Sequence, residues 1–123
     1  MKNQQKLIRS CCDGVSFLED IQKNLPKSQT LTEISNVFKA LSDPMRVKIL
    51  YALIDYEICV GEMANILELP QSHVSHQLRI LRRYGIVDYE KDKKMSFYYI
   101  KDTYIKILLT TLLSEKEGQN ENR

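Results

Sequence analysis

Three thiols and one polar stretch carry the chemistry that can be read first. Cys11 and Cys12 are adjacent, Cys59 stands apart, and the chain has no other cysteine. In a cytosolic chain three cysteines argue against a disulfide framework, and a disulfide between neighbours forces a strained small ring. Adjacent thiols therefore read as soft-metal ligands rather than as a staple. The second cluster is Ser72-His73-Val74-Ser75-His76-Gln77-Leu78-Arg79. Its hydroxyl, imidazole and guanidinium groups suit base edges and phosphates of duplex DNA. Cys59 lies one short helix upstream, so a soft ligand and a DNA reader would share one lever. Plainer readings stand beside these: a lone Cys59 near a helix start is often a small buried hydrophobe, and Cys11-Cys12 in an arm can be incidental. His73 and His76, three apart, could grip a metal, but an outward helical face suits them better to donate to bases or phosphates.

Those groups need elements to hold them. Asp43 is a good N-cap with Pro44 at the first helical position, opening a helix that carries Val47, Leu50, Tyr51 and Ile54. Residues 55–58 read as its connector. Val60, Met63, Ala64 and Leu67 then make one apolar stripe, which Leu69-Pro70 ends. Over 71–84, Val74, Leu78 and Leu81 point inward while Gln71, Ser72, His73, Ser75, His76, Arg79 and Arg82 lie outward or on the flanks, and Gly85 is a fitting stop. Two short helices, the second polar and basic outside, form a helix-turn-helix. Residues 86–90 and 96–100 read as a β-hairpin whose five-residue tip, 91–95, turns Lys91, Lys93 and Lys94 toward phosphates.

At the ends of the chain, 1–28 reads as a polar arm with a short helix over 15–23 and a break at Pro26. Ile34, Val37, Phe38 and Leu41 follow at helical spacing. Asp102 should cap a last helix with an apolar stripe of Ile105, Leu108, Leu109, Leu112 and Leu113. So small a domain has little left to cover that stripe, and a symmetric partner is its natural cover. Ile34, Val37, Phe38, Leu108, Leu109, Leu112 and Leu113 are thus the expected dimer residues. The chain should fray from Glu115, leaving 117–123 as a disordered tail. The expected fold is mainly α with a small β-hairpin: a dimeric winged helix-turn-helix over 29–116.

Composition narrows the classes. A chain of 123 residues with 43% hydrophobic and 28% charged side chains has room for one globular domain with a thin core. The formal charge of +2 is weak evidence for nucleic acid, so clustering of Lys and Arg on one face is what counts. No run of about 18 apolar residues is present, which excludes a transmembrane helix. Residues 1–12 lack the apolar core of a signal peptide, so a cytoplasmic protein without a membrane partner is expected. A dithiol enzyme is disfavoured by the missing C-x-x-C spacing, the lack of a Gly-rich cofactor loop and the lack of a general base near Cys11-Cys12.

Four segments in order, Leu41-Ser42-Asp43-Pro44-Met45-Arg46-Val47-Lys48-Ile49-Leu50, Glu57-Ile58-Cys59-Val60-Gly61-Glu62-Met63-Ala64, Val74-Ser75-His76-Gln77-Leu78-Arg79 and Phe97-Tyr98-Tyr99, resemble the ArsR/SmtB family of metal-responsive repressors. The resemblance spans about residues 30–113. It implies a homodimeric repressor that sits on an imperfect inverted repeat of double-stranded operator DNA and leaves when metal binds. It also bears on the ligands. Where many family members read Cys-Val-Cys, this chain reads Cys59-Val60-Gly61. The last-helix zinc positions read Asp102, Tyr104, Glu115 and Gly118, so two imidazoles are missing and that site is not expected, though a residual one on Asp102 and Glu115 stays open. Some members carry a cysteine-bearing arm that reaches across the dimer. Carried over, Cys11, Cys12 and Cys59 would suit As(III), the expected inducer, or Sb(III); Pb(II), Bi(III) and, with Asp13 or water as fourth ligand, Cd(II) would also fit. Other classes remain: a thiol-redox or persulfide switch through Cys12 and Cys59 with Arg9 and Lys6 nearby, and an interaction module that has lost its operator.

Overall fold

Asp43 starts the element around which the rest is arranged. Its Oδ1 accepts the Met45 amide at 3.1 Å and Pro44 follows in the first turn, so α3 (Pro44–Ala52) begins where the cap chemistry places it. The computed structural model describes residues 15–121, with side chains described over 17–118. Cys11, Cys12 and Asp13 lie outside the described residues. The chain divides into two compact units, Met1–Ile34 and Ser35–Arg123. In the first, α1 (Val15–Asn24) exposes Phe17, Leu18 and Ile21. The next helix, α2 (Ser28–Ala40), starts before the apolar spacing at Ile34, because polar pairs extend it: the Thr32 hydroxyl donates to the Ser28 carbonyl at 3.1 Å.

In the second unit, α4 (Val60–Leu67) and α5 (Gln71–Arg83) form the helix pair. The turn between them passes through Glu68, left-handed at φ 55°, and the Leu69 amide donates back to the Ala64 carbonyl at 3.0 Å. Both α3 and α4 pack on α5. Ile49, Leu50, Met63, Val74, Leu78 and Leu81 are fully buried between them. Each such side chain contributes about 1.5–3 kcal/mol through burial. Gly85 takes φ 74°, which lets the Gly85 and Ile86 amides close the end of α5 on the Arg82 and Leu81 carbonyls.

The sheet corrects the expected wing in two ways. Ile58 and Cys59, expected as connector and helix start, form a short strand β1 (Ile58–Cys59) on the edge of a three-stranded antiparallel sheet, with order β1, β3 (Met95–Ile100), β2 (Val87–Asp92). Cys59 lies opposite Phe97 and Ile58 opposite Tyr98. Two residues are too few to leave an alternating pattern. The hairpin turn is also shorter than the five residues expected. Lys91 pairs with Ser96 and Asp92 with Met95, leaving Lys93 and Lys94 as the turn, with Lys93 left-handed at φ 59°. The strand ends project into solvent, so the ladder extends past the apolar residues that mark strands in a sequence.

The last helix, α6 (Thr103–Glu121), starts where Asp102 Oδ1 accepts the Tyr104 and Ile105 amides at 3.0 and 3.3 Å. Two expectations about it are corrected. It continues to Glu121, past Glu115, because Glu, Lys and Gln are good helix formers without an apolar stripe. The expected disordered tail from 117 is therefore helical as far as the described residues reach. Leu109, expected at a subunit interface, is 3% exposed within the chain's own core beside Ile105. The Tyr51 hydroxyl donates to its carbonyl at 2.7 Å and pins α6 to α3.

Candidate nucleic-acid interface and thiol site

Burying Val74, Leu78 and Leu81 fixes what the rest of α5 presents. Gln71, Ser72, His73, His76 and Arg79 are exposed, as expected, and Ser75 is half-buried on the flank. Arg82 and Arg83 follow in the last turn, where cations complement the helix dipole. The result is one continuous polar, cationic face on a helix whose other face is sealed into the core. Such a face can donate to base edges near its N-terminus and to phosphates along its length.

Two arginine junctions hold this helix, and neither was expected from the sequence. On one side Arg46 of α3 donates from Nη1 to Asp43 Oδ2 and to Gln77 Oε1, both at 3.2 Å, and from Nε to the Ala40 carbonyl at 2.7 Å. The Asp43 to Arg46 spacing of three was a readable signal for an ion pair; its reach to Gln77 was not. On the other side Arg82 Nε meets Asp88 Oδ1 at 3.1 Å, and the guanidinium lies 4.6 Å from the centre of the Tyr89 ring. Tyr89 in turn packs on Tyr98 with ring centres 5.3 Å apart. The hydrogen bond to Asp88 raises the Arg82 pKa. The Tyr89 amide first, and Arg82 second, hold the Asp88 carboxyl below the usual carboxylate range. This junction ties the end of α5 to the root of the hairpin, so helix and wing form one surface. Arg79, Arg82, Arg83 and Lys101 line the shallow cleft between them.

The wing lysines lie at the hairpin turn and on the adjoining strand. Lys93 and Lys94 are exposed at the turn, and Lys91 is exposed on β2.

The thiol expectations fare unevenly. Cys59 is the N-cap residue of α4 and is 3% exposed, with no side-chain cap hydrogen bond. Among the described residues no group of three or more His, Cys, Asp or Glu side chains could hold a metal ion. His73 and His76 are part of no such group. Asp102 is engaged as the cap of α6, and Glu115 lies about 20 Å farther along the same helix. One chain cannot bring those two carboxylates to one ion. Gly61, where a second thiol would complete a Cys-Val-Cys pattern, has room: an added Cβ would meet only Gln71 Nε2, at 3.5 Å.

The expected dimer residues divide as well. Phe38, Leu108, Leu112 and Leu113 are exposed in the second unit, Val37 packs partly on the core, and Ile34 is exposed in the first unit. No described helix is long and apolar enough to cross a membrane.

This chain is similar to known regulators over most of its length. A family model described as a bacterial regulatory protein of the arsR family matches residues 43–89. The cadmium resistance transcriptional regulatory protein CadC homolog of Staphylococcus aureus is 42% identical over 84% of this chain and 88% of that protein. The solved structure of HlyU from Vibrio cholerae is 34% identical, with a TM-score of 0.66 over 70% of this chain and 94% of that one. A homodimeric winged helix-turn-helix DNA-binding domain from Mycobacterium bovis, 20% identical, shares the fold with a TM-score of 0.71 over 81% of this chain and 94% of that one. With the capped α3, the α4–α5 pair and the hairpin wing already in place, these likenesses settle the lineage: the chain is a winged helix-turn-helix protein of the arsR family of bacterial transcriptional regulators, not an enzyme.

Proposed function

We propose that this protein is a dimeric, metal-responsive repressor that binds an operator through α5 and the wing and releases it when a soft metal binds its thiolates. The observation that carries the DNA half is the two-sidedness of α5, with a fully buried apolar face opposite an outward polar one. In this reading Gln71, Ser72, His73, Ser75, His76 and Arg79 contact bases and nearby phosphates, and Lys91, Lys93 and Lys94 contact the backbone. Two such helices in a symmetric dimer would enter successive major grooves about 34 Å apart.

The metal half rests on the family and on donor chemistry. Cys59 supplies one soft donor from the described residues, at the joint where β1 becomes α4. Cys11 and Cys12 would supply the others, giving the three-thiolate set that suits As(III) or Sb(III) and, with a fourth ligand, Cd(II). The name of the Staphylococcus relative favours cadmium among these. Because α4 packs on α5, a displacement at Cys59 has a direct path to the reading face. A coupling of about 3 kcal/mol per dimer would lower DNA affinity more than a hundredfold. Purified reduced protein bound to its promoter duplex, titrated with cadmium, arsenite, antimonite, lead and zinc, tests the whole reading. The soft metals should release wild type, while Cys59→Ser should keep the duplex and lose release, because a serine hydroxyl is a poor soft-metal ligand. Zinc releasing wild type and Cys59→Ser equally well at low concentration would replace the thiolate site.

A further inference from the structure

The Arg46 side chain is only 16% exposed and uses four N–H donors at once. Nε binds the Ala40 carbonyl at 2.7 Å and Nη2 the Lys39 carbonyl at 3.2 Å, which satisfies the open end of α2. One Nη1 bond holds the Asp43 cap. Those three contacts build a helix corner and explain themselves. The fourth crosses 31 positions to Gln77 Oε1, in the middle of α5.

Gln77 follows His76 directly and lies two residues before Arg79, on the flank of the outward face. The inner face of α5 is held by Val74, Leu78 and Leu81, and apolar contacts of that kind are non-directional. They keep the helix against the core without any directional bond that specifies its rotation. A charge-assisted hydrogen bond is directional, and the guanidinium that makes it is itself fixed by three other acceptors. We propose that Arg46 is a positioning residue of the reading helix: through Gln77 it sets the rotation of α5 against the α2–α3 corner. Discrimination between DNA sequences, rather than attraction to DNA in general, then depends on it. This inference rests on α5 being the helix that reads DNA.

The test uses the full chain, a duplex enriched by the wild-type protein from a random-sequence library, and a scrambled duplex of equal length. Binding to both is followed by fluorescence anisotropy, and each variant is melted. Gln77→Met removes the acceptor at nearly constant volume; it should lose about tenfold on the enriched duplex, keep its affinity for the scrambled one, stay folded and melt somewhat below wild type, because one Arg46 N–H loses its acceptor. Gln77→Glu keeps an acceptor for Arg46, so both affinities should fall together through the added charge while their ratio stays near wild type. Arg46→Lys, unable to reach four acceptors, should melt lower and lose the same discrimination, and adding Gln77→Met to it should cost no further discrimination. Additive losses in the double variant would place Gln77 on the DNA itself and overturn the positioning role. So would a Gln77→Met protein that discriminates like wild type, a result that stands even if Arg46→Lys does not fold. A wild-type protein that enriches no duplex would instead remove α5 as the reading helix.

Discussion

α5 and α6 carry apolar stripes of the same period and meet opposite fates. The stripe of α5 is wholly buried, and the opposite face of the helix is polar. The stripe of α6 is split: Ile105 and Leu109 are in the core, whereas Leu108, Leu112 and Leu113 are about 40% exposed. Periodicity fixes which side chains share a face; it does not fix what covers that face. On α5 the core supplies the cover, and the free side is the polar face proposed to meet DNA. On α6 the core runs out after Leu109, and three leucines are left for a surface of equal apolarity, which a second copy of the chain would provide.

The sharpest way to break this comparison is to charge the two halves of the α6 stripe separately. Leu109→Lys should abolish the folded state, because an unpaired buried ammonium costs several kcal/mol out of the 5–15 that a domain of this kind has in total. Far-ultraviolet circular dichroism should show an unfolded chain, and a folded, fully helical variant would place Leu109 at an interface after all. Leu112→Lys should have the next largest effect and a different one: the helical signal stays and the mass by light scattering falls to that of one chain. If Leu112→Lys remained a dimer, the exposed half of the stripe would have some other purpose.

How much of this was legible follows from the range of the interactions. α3, the α4–α5 pair and the end of α5 could be read because Asp43, Pro44, Gly85 and the Val74, Leu78 and Leu81 spacing act within a turn or two of themselves. The outward residues of α5 followed from the inward ones. The division of the α6 stripe could not be read, since it depends on where α3 ends and on the Tyr51 hydroxyl reaching the Leu109 carbonyl across 58 positions. Strand β1 was too short to leave a pattern. Arg46–Gln77 and Arg82–Asp88 are polar junctions between elements, and charged residues at helical spacing read equally well as a solvated face. Cys59 was legible as a helix-start thiol, with burial as its plainer reading, but its place on a strand opposite Phe97 was not.

The polar side of α5 can be probed through its extension into the wing. Replacing Lys93 or Lys94 by Ala should leave sequence preference and melting unchanged. Each lost phosphate contact should lower the slope of log affinity against log salt by about 1. A variant that kept the wild-type slope would make the turn a solvated loop and confine DNA contact to the helix.

The smallest effect is expected at the root of that wing, where the Arg82–Asp88 pair is solvent-exposed and its worth in stability is correspondingly slight. Its signature should be a pH dependence rather than a loss of fold. The Tyr89 amide and Arg82 hold the Asp88 carboxyl below its ordinary value, so the carboxylate is favoured in the folded protein. Whatever stability the junction adds is then present at neutral pH, above the ordinary carboxylate pKa, and is lost as the pH falls through the lowered value. Arg82 stays charged throughout, so protonation of Asp88 alone should loosen the contact with the Tyr89 ring. Amide resonances of Tyr89 and Tyr98 followed by NMR on the acid side should move with Asp88, and in Asp88→Asn that movement should be gone with the α5 core signals unchanged. If the tyrosine resonances titrated identically in Asp88→Asn, helix and wing would be joined by the Arg82 guanidinium over the Tyr89 ring alone, and the two sides of α5 would be held by unlike means: hydrogen bonds from Arg46 on one side and a cation over an aromatic ring on the other.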